Sequence, residues 1–376
     1  VPGHDGESGD VQYVRDLLGD PPPGVTYVTY VEALESGELR DAPSLNPRRR
    51  APRTLPEFGV AVARTGLYAI RRTGLLLPDP VRWWQVAGDF DVIHSHCFAL
   101  RLVGPAPPVV ATDSAGTFWY WTAAQGRDER QVWRQLRRER RLARALGYVH
   151  PSVTPDLAEA TLYFVGSGRD LASRVGADVT GTQVAPAGVP DAGRRSPKSL
   201  SPPVLLFVAR NFEIKGGPDA LAALALVRAE FPDCQLWIAG PDLPQPEVDG
   251  VTWLGPLSRS DLYRDVYPAA DLFMYPTRFD VAPLVVVEAL AHGLPVVAPR
   301  RFGLPDLVKD GETGVLVDSG GVEPIADAVL GLLRDPDRLR RMGTAAARDF
   351  EGRLSVRVRN DALGAAYRDA VGVGLR

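Results

Sequence analysis

Two short stretches hold the side chains whose types and spacing could do chemistry. In residues 204–219 (VLLFVARNFEIKGGPD), an apolar run delivers Arg210, and Lys215-Gly216-Gly217 leads into a helix opened by Pro218. Two cations beside a glycine-flanked helix start make an anion site, because free amides and helix dipole both point at the ligand. The plainer alternative is a strand-to-helix turn with solvated charges. Lysine scarcity weakens it: only Lys198, Lys215 and Lys309 occur among 43 basic residues, and one of them stands where a phosphate would bind. The stretch is not a P-loop, since GxxxxGK[ST] is absent. In residues 275–293 (YPTRFDVAPLVVVEALAHG), a loop carries Asp280, a helix opens at Pro283, presents Glu288 and closes at Gly293. A carboxylate in either place can accept two hydrogen bonds from a diol, such as a ribose or a sugar ring. Its alternative is an acid placed for the helix dipole plus a surface glutamate.

Holding these residues together requires strands that end at one cleft. Short apolar runs recur at 204–209, 234–239, 251–254, 271–275, 295–298 and 314–317, with helical patterns from Pro218 to Glu230, Ser260 to Ala269 and Pro283 to His292. Continuous apolar strands alternating with helices predict a parallel sheet covered on both faces, whose ligands sit beyond the strands' carboxyl ends. The first half repeats the theme less cleanly, with strands expected at 25–30 (VTYVTY), 90–94, 108–112, 161–165 and 182–186. The chain therefore divides into an N-terminal domain (1–190), a proline-rich linker (191–203), a C-terminal domain (204–355), and a last helix (356–376) packing back toward the N-terminal domain. Segment 5–18 (DGESGDVQYVRDLL) looks like a glycine loop and first helix, with Gly9 in the loop, but no strand precedes it. Val1 is no natural initiator, so the first domain is expected to extend upstream of residue 1.

Together the two stretches resemble the family-4 retaining glycosyltransferases with the GT-B fold, of the glycogen synthase and mannosyltransferase-like superfamily. ARNFEIKGG is similar to that family's "GR…EKG" loop, and DVAPLVVVEALAHGLPVVA to its "E-x7-E, EAMA-x-G-x-PVVA" segment. RFGLPDLVKDGETGVLV (301–317) matches "GG-x-PE-x-V-x-DG-x-x-G-x-LV", FDVIHSH (90–96) looks like "DVIHAH", and VAPAGV (184–189) resembles "VIPNGV". The resemblance implies an α/β chain of two Rossmann-like domains facing a central cleft. It implies transfer of a hexose from a UDP-, GDP-, ADP- or dTDP-linked donor to a carbohydrate, lipid-linked or small-molecule acceptor, with retained configuration and no metal or other cofactor. Carried over by position, Arg210 and Lys215 would hold the diphosphate, Asp280 would face the donor sugar and Glu288 the ribose. Gly216, Gly217, Ala282, Pro283 and Leu284 would line the donor. Gly9, His96, Asp113 and Ser114 are candidates for acceptor or donor-loop contacts. Asp280 replaces the usual glutamate, so its reach is about one methylene (~1.5 Å) shorter. Asp306 also replaces a glutamate, and Ala187 an asparagine. In VVATDSAGTFWYW (109–121) no histidine stands where the family has one; Asp113 or Ser114 occupies its neighbourhood.

Other functions fare worse. With 45% hydrophobic residues and a net charge of −3, the chain is neither disordered nor suited to nucleic acid as a main partner. No apolar run reaches a membrane span of about 18 residues. Two cysteines supply neither a disulfide framework nor a four-thiolate zinc site, and they fit a reducing, cytoplasmic compartment. GSGRDL (166–171) follows a strand, yet Leu171 takes the third glycine position of the dinucleotide fingerprint. His94-x-His96 share a strand face and could pair on a metal, but a lone pair is weak support. A GT-B epimerase or phosphorylase, or a non-catalytic binding or assembly module of the same fold, remain the alternatives. Residues 127–144 carry eight arginines and three acids. They read as a solvated helix face or as a contact for an anionic acceptor or the inner face of the membrane.

Overall fold

A computed structural model describes residues 9–41, 82–96, 100–103, 107–113, 134, 137–138, 141, 160–174, 179–192, 201–242, 246–318 and 321–374. The C-terminal half is a parallel sheet of β8 (Val204–Val208), β9 (Gln235–Ala239), β10 (Val251–Gly255), β11 (Leu272–Met274), β12 (Val296–Pro299) and β13 (Gly314–Val317). Its order is β10-β9-β8-β11-β12-β13. Every residue of β8, β11 and β12 is buried. This is why their sequences are unbroken apolar runs rather than alternating ones. Strand order reverses between β8 and β11, and such a switch point opens a crevice at the strands' carboxyl ends.

Helix α4 (Gly217–Arg228) leaves β8, and α6 (Leu284–Ala291) joins β11 to β12. After the short helix α7 (Leu304–Leu307), α8 (Val322–Leu333) packs on α4, and α9 (Pro336–Asp349) packs on α6. The helix expected over 260–269 is instead one turn, α5 (Arg259–Asp261), then a π-turn at Leu262–Val266 and a 3-10 turn at Tyr267–Ala269. Pro268 has no N–H to donate and its ring crowds the preceding turn, so the helical ladder must shift register there.

The N-terminal half has a four-stranded parallel sheet, in the order β3 (Ile93–His96), β5 (Val109–Asp113), β6 (Ala160–Tyr163) and β7 (Gln183–Val184). Against it lie α1 (Gly9–Gly19), through Tyr13 and Leu17, and the C-terminal helix α10 (Val356–Gly374), through Leu363, Ala366, Tyr367 and Ala370. The two helices are fastened end to side. Arg359, 1% exposed, and Asn360 each donate to the Asp20 carbonyl just past α1, at 2.8 and 3.0 Å. A guanidinium there complements the negative end of the α1 dipole.

One expectation fails in this half, and one sheet is present that the sequence does not announce. VTYVTY at 25–30 is not a strand: residues 25–29 are unpaired, and Tyr30–Glu35 is helix α2. Thr29 and Glu32 form a reciprocal capping box, which commits the chain to a helical turn at a point where alternation alone predicts extension. A separate three-stranded sheet of β1 (Leu39–Asp41), β2 (Arg82–Val86) and β4 (Leu100–Val103) went unforeseen. Its outer strand β1 has only three residues, too few to show a period.

Candidate active site

The cleft is built at the carboxyl ends of β8 and β11. After β8 the chain turns through Gly216, at φ 84°, to start α4. A Cβ there would stand 2.0 Å from the Pro276 carbonyl, and one on Gly217 would stand 2.2 Å from the Phe212 ring. Only glycines let this loop lie so close beneath the segment leaving β11. The approach brings Lys215 to Asp280. Lys215 Nζ donates to Asp280 Oδ2 at 2.5 Å and to the Phe279 carbonyl at 2.9 Å. The Tyr275 hydroxyl donates to the same Oδ2 at 2.7 Å. Burial and the facing Asp280 carboxylate hold the Tyr275 phenol well above its usual range, so it remains a donor.

Asp280 is aimed by the backbone behind it. Phe302 takes a left-handed conformation, φ 56°, in a position where the family pattern has glycine, and its ring packs edge-on against Phe279 at 5.5 Å. A non-glycine residue held at positive φ costs of order 1 kcal/mol, and such strain collects at functional sites. The neighbouring Gly303 lets the 301–303 loop approach, since a Cβ there would meet the Val281 carbonyl at 1.9 Å.

Glu288 lies in α6, as its spacing predicts, and is held by partners that the spacing does not show. It is 5% exposed. Arg259 Nε stands 2.8 Å from Oε1 as an ion pair, although Nε finds no well-aligned hydrogen-bond acceptor. The Tyr267 hydroxyl donates to Oε2 at 2.8 Å. Burial raises the Glu288 pKa, while Arg259 and Tyr267 work against the rise. Arg259 also donates from Nη1 to both oxygens of Asp16, on α1 of the other half, at 2.6 and 2.5 Å. Arg259, Asp16, Tyr267 and Tyr275 were not found from sequence. Arg259 and Asp16 meet across 243 positions and Tyr267 reaches Glu288 across 21, while Tyr275, five residues before Asp280, ends an apolar run and reads as part of it.

The remaining candidates scatter. Arg210 is exposed at the end of β8, and Pro283 is the buried N-cap of α6. Ala282 and Leu284 pack against both the C-terminal core and the core under α10. Gly9 opens α1, and Asp113 ends β5 opposite Tyr163. Ser114 lies outside the described residues, as does most of 127–144; Arg134, Arg137, Arg138 and Arg141 are helical and exposed. GSGRDL begins helix α3 (Gly166–Arg174), where the Asp306 carboxylate accepts from the Ser167 amide at 2.9 Å. An anion-binding helix start is thus filled by the protein's own acid, which accounts for the motif without a dinucleotide.

His94 and His96 share one hydroxyl. Thr112 Oγ1 lies 3.0 Å from His94 Nε2 and 2.9 Å from His96 Nδ1, and the Tyr367 and Tyr27 hydroxyls continue the chain from His94 Nδ1 at 2.7 Å each. One hydroxyl proton serves one ring, so the two imidazoles have linked tautomers. Among the described residues no three His, Cys, Asp or Glu side chains converge as a metal site. Residue His94 is only partly buried overall, but its ring is deep enough that burial, then His96 and Arg359, push it down to about 3. The native form therefore binds fewer protons than the unfolded chain below about pH 6.5. Its contribution is complete above that pH and is lost as pH falls toward 3. Urea melts should lose about 1.4 kcal/mol per pH unit below 6.5 from this one group, less whatever its partial exposure relieves. His94→Asn should flatten that slope between pH 6.5 and 5; an unchanged slope would remove His94 from the acid response.

Residues 202–335 match the family model of glycosyl transferases group 1. A D-inositol 3-phosphate glycosyltransferase of Nocardia farcinica is 31% identical over 298 residues, 71% of this chain and 64% of that protein. Another, from Segniliparus rotundus, is 37% identical over 182 residues, 45% of this chain and 40% of that protein. The chain thus spans less than two thirds of the length of these curated relatives. Sucrose-phosphate synthase from Thermosynechococcus elongatus superposes with a TM-score of 0.58 at 18% identity, over 94% of this chain and 82% of that one. Anabaena Alr3699/HepE in complex with UDP-glucose gives 0.53 at 18% identity, over 70% and 72%. Likeness at such identities speaks for the fold, and it agrees with the parallel sheets and flanking helices. The motifs' resemblance is upheld at the level of the fold: the chain has the GT-B fold of glycosyltransferases, and its residues 202–335 are similar to the glycosyl transferases group 1 family.

Proposed function

We propose that this chain transfers a hexose from a nucleoside-diphosphate sugar to an acceptor hydroxyl, retaining the anomeric configuration and requiring no metal ion. The observation that carries this is the Lys215–Asp280–Tyr275 cluster at the β8/β11 switch point. Lys215 beside the α4 start supplies positive charge where a diphosphate would leave, the task a bound cation performs elsewhere. Asp280 Oδ2 is held by an ammonium and a phenol, which makes the carboxylate a poor nucleophile and a good acceptor for sugar hydroxyls. That favours same-face displacement. The acceptor oxygen bonds to the anomeric carbon as its bond to the phosphate oxygen breaks, and the acceptor proton passes to the leaving phosphate. The curated relatives carry the name D-inositol 3-phosphate glycosyltransferase, which makes a phosphorylated cyclitol the first acceptor to try, and the neighbour solved with UDP-glucose makes UDP the first nucleotide to try.

The test is a thermal-shift screen of UDP, GDP, ADP and dTDP and their sugars. A ligand bound only by the native state, at a hundred times its dissociation constant, adds about 2.7 kcal/mol of stability. One base should raise the melting temperature well above the others. A flat response to all of them would sink the proposal.

A further inference from the structure

Arg259 follows β10 at the carboxyl edge of the sheet that carries Lys215 and Asp280, yet the motifs give it no part. It holds two carboxylates from two directions: Glu288 from α6 behind it, and Asp16 from α1 of the opposite half. We propose that Arg259 is a donor-binding residue, and that Asp16 occupies the place of the donor's anionic group until the donor displaces it. The inference rests on the nucleotide-sugar reading above and names a further residue of the same site.

Charge is the first argument. Arg259 alone meets both carboxylates, while Arg359, the other cation beside Asp16, reaches only its main-chain carbonyl, at 3.4 Å, in a place where solvent screens little. The Asp16 and Arg259 side chains are only 8% and 18% exposed. Two acids that share one guanidinium repel each other, which eases the departure of either. Geometry is the second. Both Asp16 oxygens converge on Nη1, a charge-assisted contact that a phosphate oxygen pair reproduces with more charge. Support is the third. The guanidinium lies over the Tyr263 ring at 5.2 Å and keeps Glu288 on its Nε side, so it stays aimed when Asp16 departs. Asp16, by contrast, has a second partner in its own helix, Gln12, whose amide donates to Oδ1 at 3.0 Å. The acid is thus released to a waiting hydrogen bond. Since Asp16 belongs to the other half, its release from Arg259 also loosens the cleft that the donor must enter.

The experiment is calorimetric titration with UDP, and with GDP, ADP and dTDP where UDP is silent, in low salt. Asp16→Asn should tighten nucleoside-diphosphate binding about tenfold, because a neutral amide competes poorly with phosphate for a guanidinium. Arg259→Gln should weaken it about tenfold, and the gain from Asp16→Asn should vanish in the Arg259→Gln background. A gain in affinity does not arise from poor folding, so the Asp16 variant decides even where the Arg259 variant is destabilised. Equal or weaker binding by Asp16→Asn overturns the inference, as does a gain that persists without Arg259. Lys215→Ala separates the two levels. Where it weakens binding while the Asp16 and Arg259 variants match wild type, the further inference fails alone. Where no nucleoside diphosphate binds wild type or Asp16→Asn, both fall.

Discussion

Lys215→Ala is expected to lower kcat by about 10²–10³ while leaving the fold intact, the loss seen when a charge aimed at a developing anion is removed. The size follows from what the lysine does on both sides of the reaction. Before the donor arrives, Nζ neutralises Asp280 and bonds the Phe279 carbonyl. When a diphosphate is bound, the same ammonium must face it. Without Lys215, the Asp280 carboxylate keeps, among the described residues, the Tyr275 hydroxyl alone and presents its negative charge to a leaving group that is itself gaining charge. Stability should fall as well, by about 1.5–3 kcal/mol, since the pair is mostly enclosed, 23% and 18% exposed, and the carboxylate loses a charge-assisted hydrogen bond. Lys215→Arg keeps the charge but not the compact head, so it should recover only part of the rate. Single-turnover assays with the donor identified by thermal shift separate the two effects. A kcat within threefold of wild type would remove Lys215 from the chemistry and leave it as a loop anchor.

Legibility from sequence followed burial. Strands β8, β11 and β12 are enclosed on both faces, so VLLFVA, DLFMY and PVVA stand out as unbroken runs, and Gly216, Gly217 and Gly293 mark the helix ends. Lys215 and Asp280 were legible for the same reason: each lies in a loop immediately after such a strand. The N-terminal half lacked that contrast. In VTYVTY the period-2 pattern was real, with Val25 and Tyr27 packed inward and Val28 49% exposed, but no strand among the described residues pairs with it and the Thr29 cap turned it into a helix. The Asp16–Arg259 contact joins residues 243 positions apart. Nothing local announces it: Asp16 reads as a helix acid, and Arg259 as one of forty arginines. Glu288 shows the limit most sharply. Its spacing from Asp280 is a property of the chain, but whether a carboxylate meets solvent, ligand or a buried cation is a property of what folds over it.

That distinction makes Glu288→Ala informative, and it is expected to destabilise the protein by about 3 kcal/mol. Breaking a buried ion pair by removing one member costs about 3–5 kcal/mol, because the other charge is left in a poorly solvating place. Here Asp16 still neutralises Arg259, so the cost comes instead mainly from the cavity that the side chain leaves. The Tyr267 hydroxyl, fully enclosed, also loses its acceptor. Glu288→Gln should cost only about 1 kcal/mol. Its amide oxygen still accepts from Tyr267, and a neutral group escapes the burial penalty that raises the Glu288 pKa. Urea melts of the two variants, paired with nucleotide titrations, separate two roles for one carboxylate. If Glu288 acts through Arg259, the alanine variant loses stability and donor affinity together, and the glutamine variant keeps most of both. If Glu288 meets the ribose directly, donor affinity collapses in both variants while stability moves by less than about 0.5 kcal/mol, as for a solvent-facing side chain. That second pattern would require the Arg259–Glu288 pair to open in solution, and with it the Asp16 contact that Arg259 carries across the cleft.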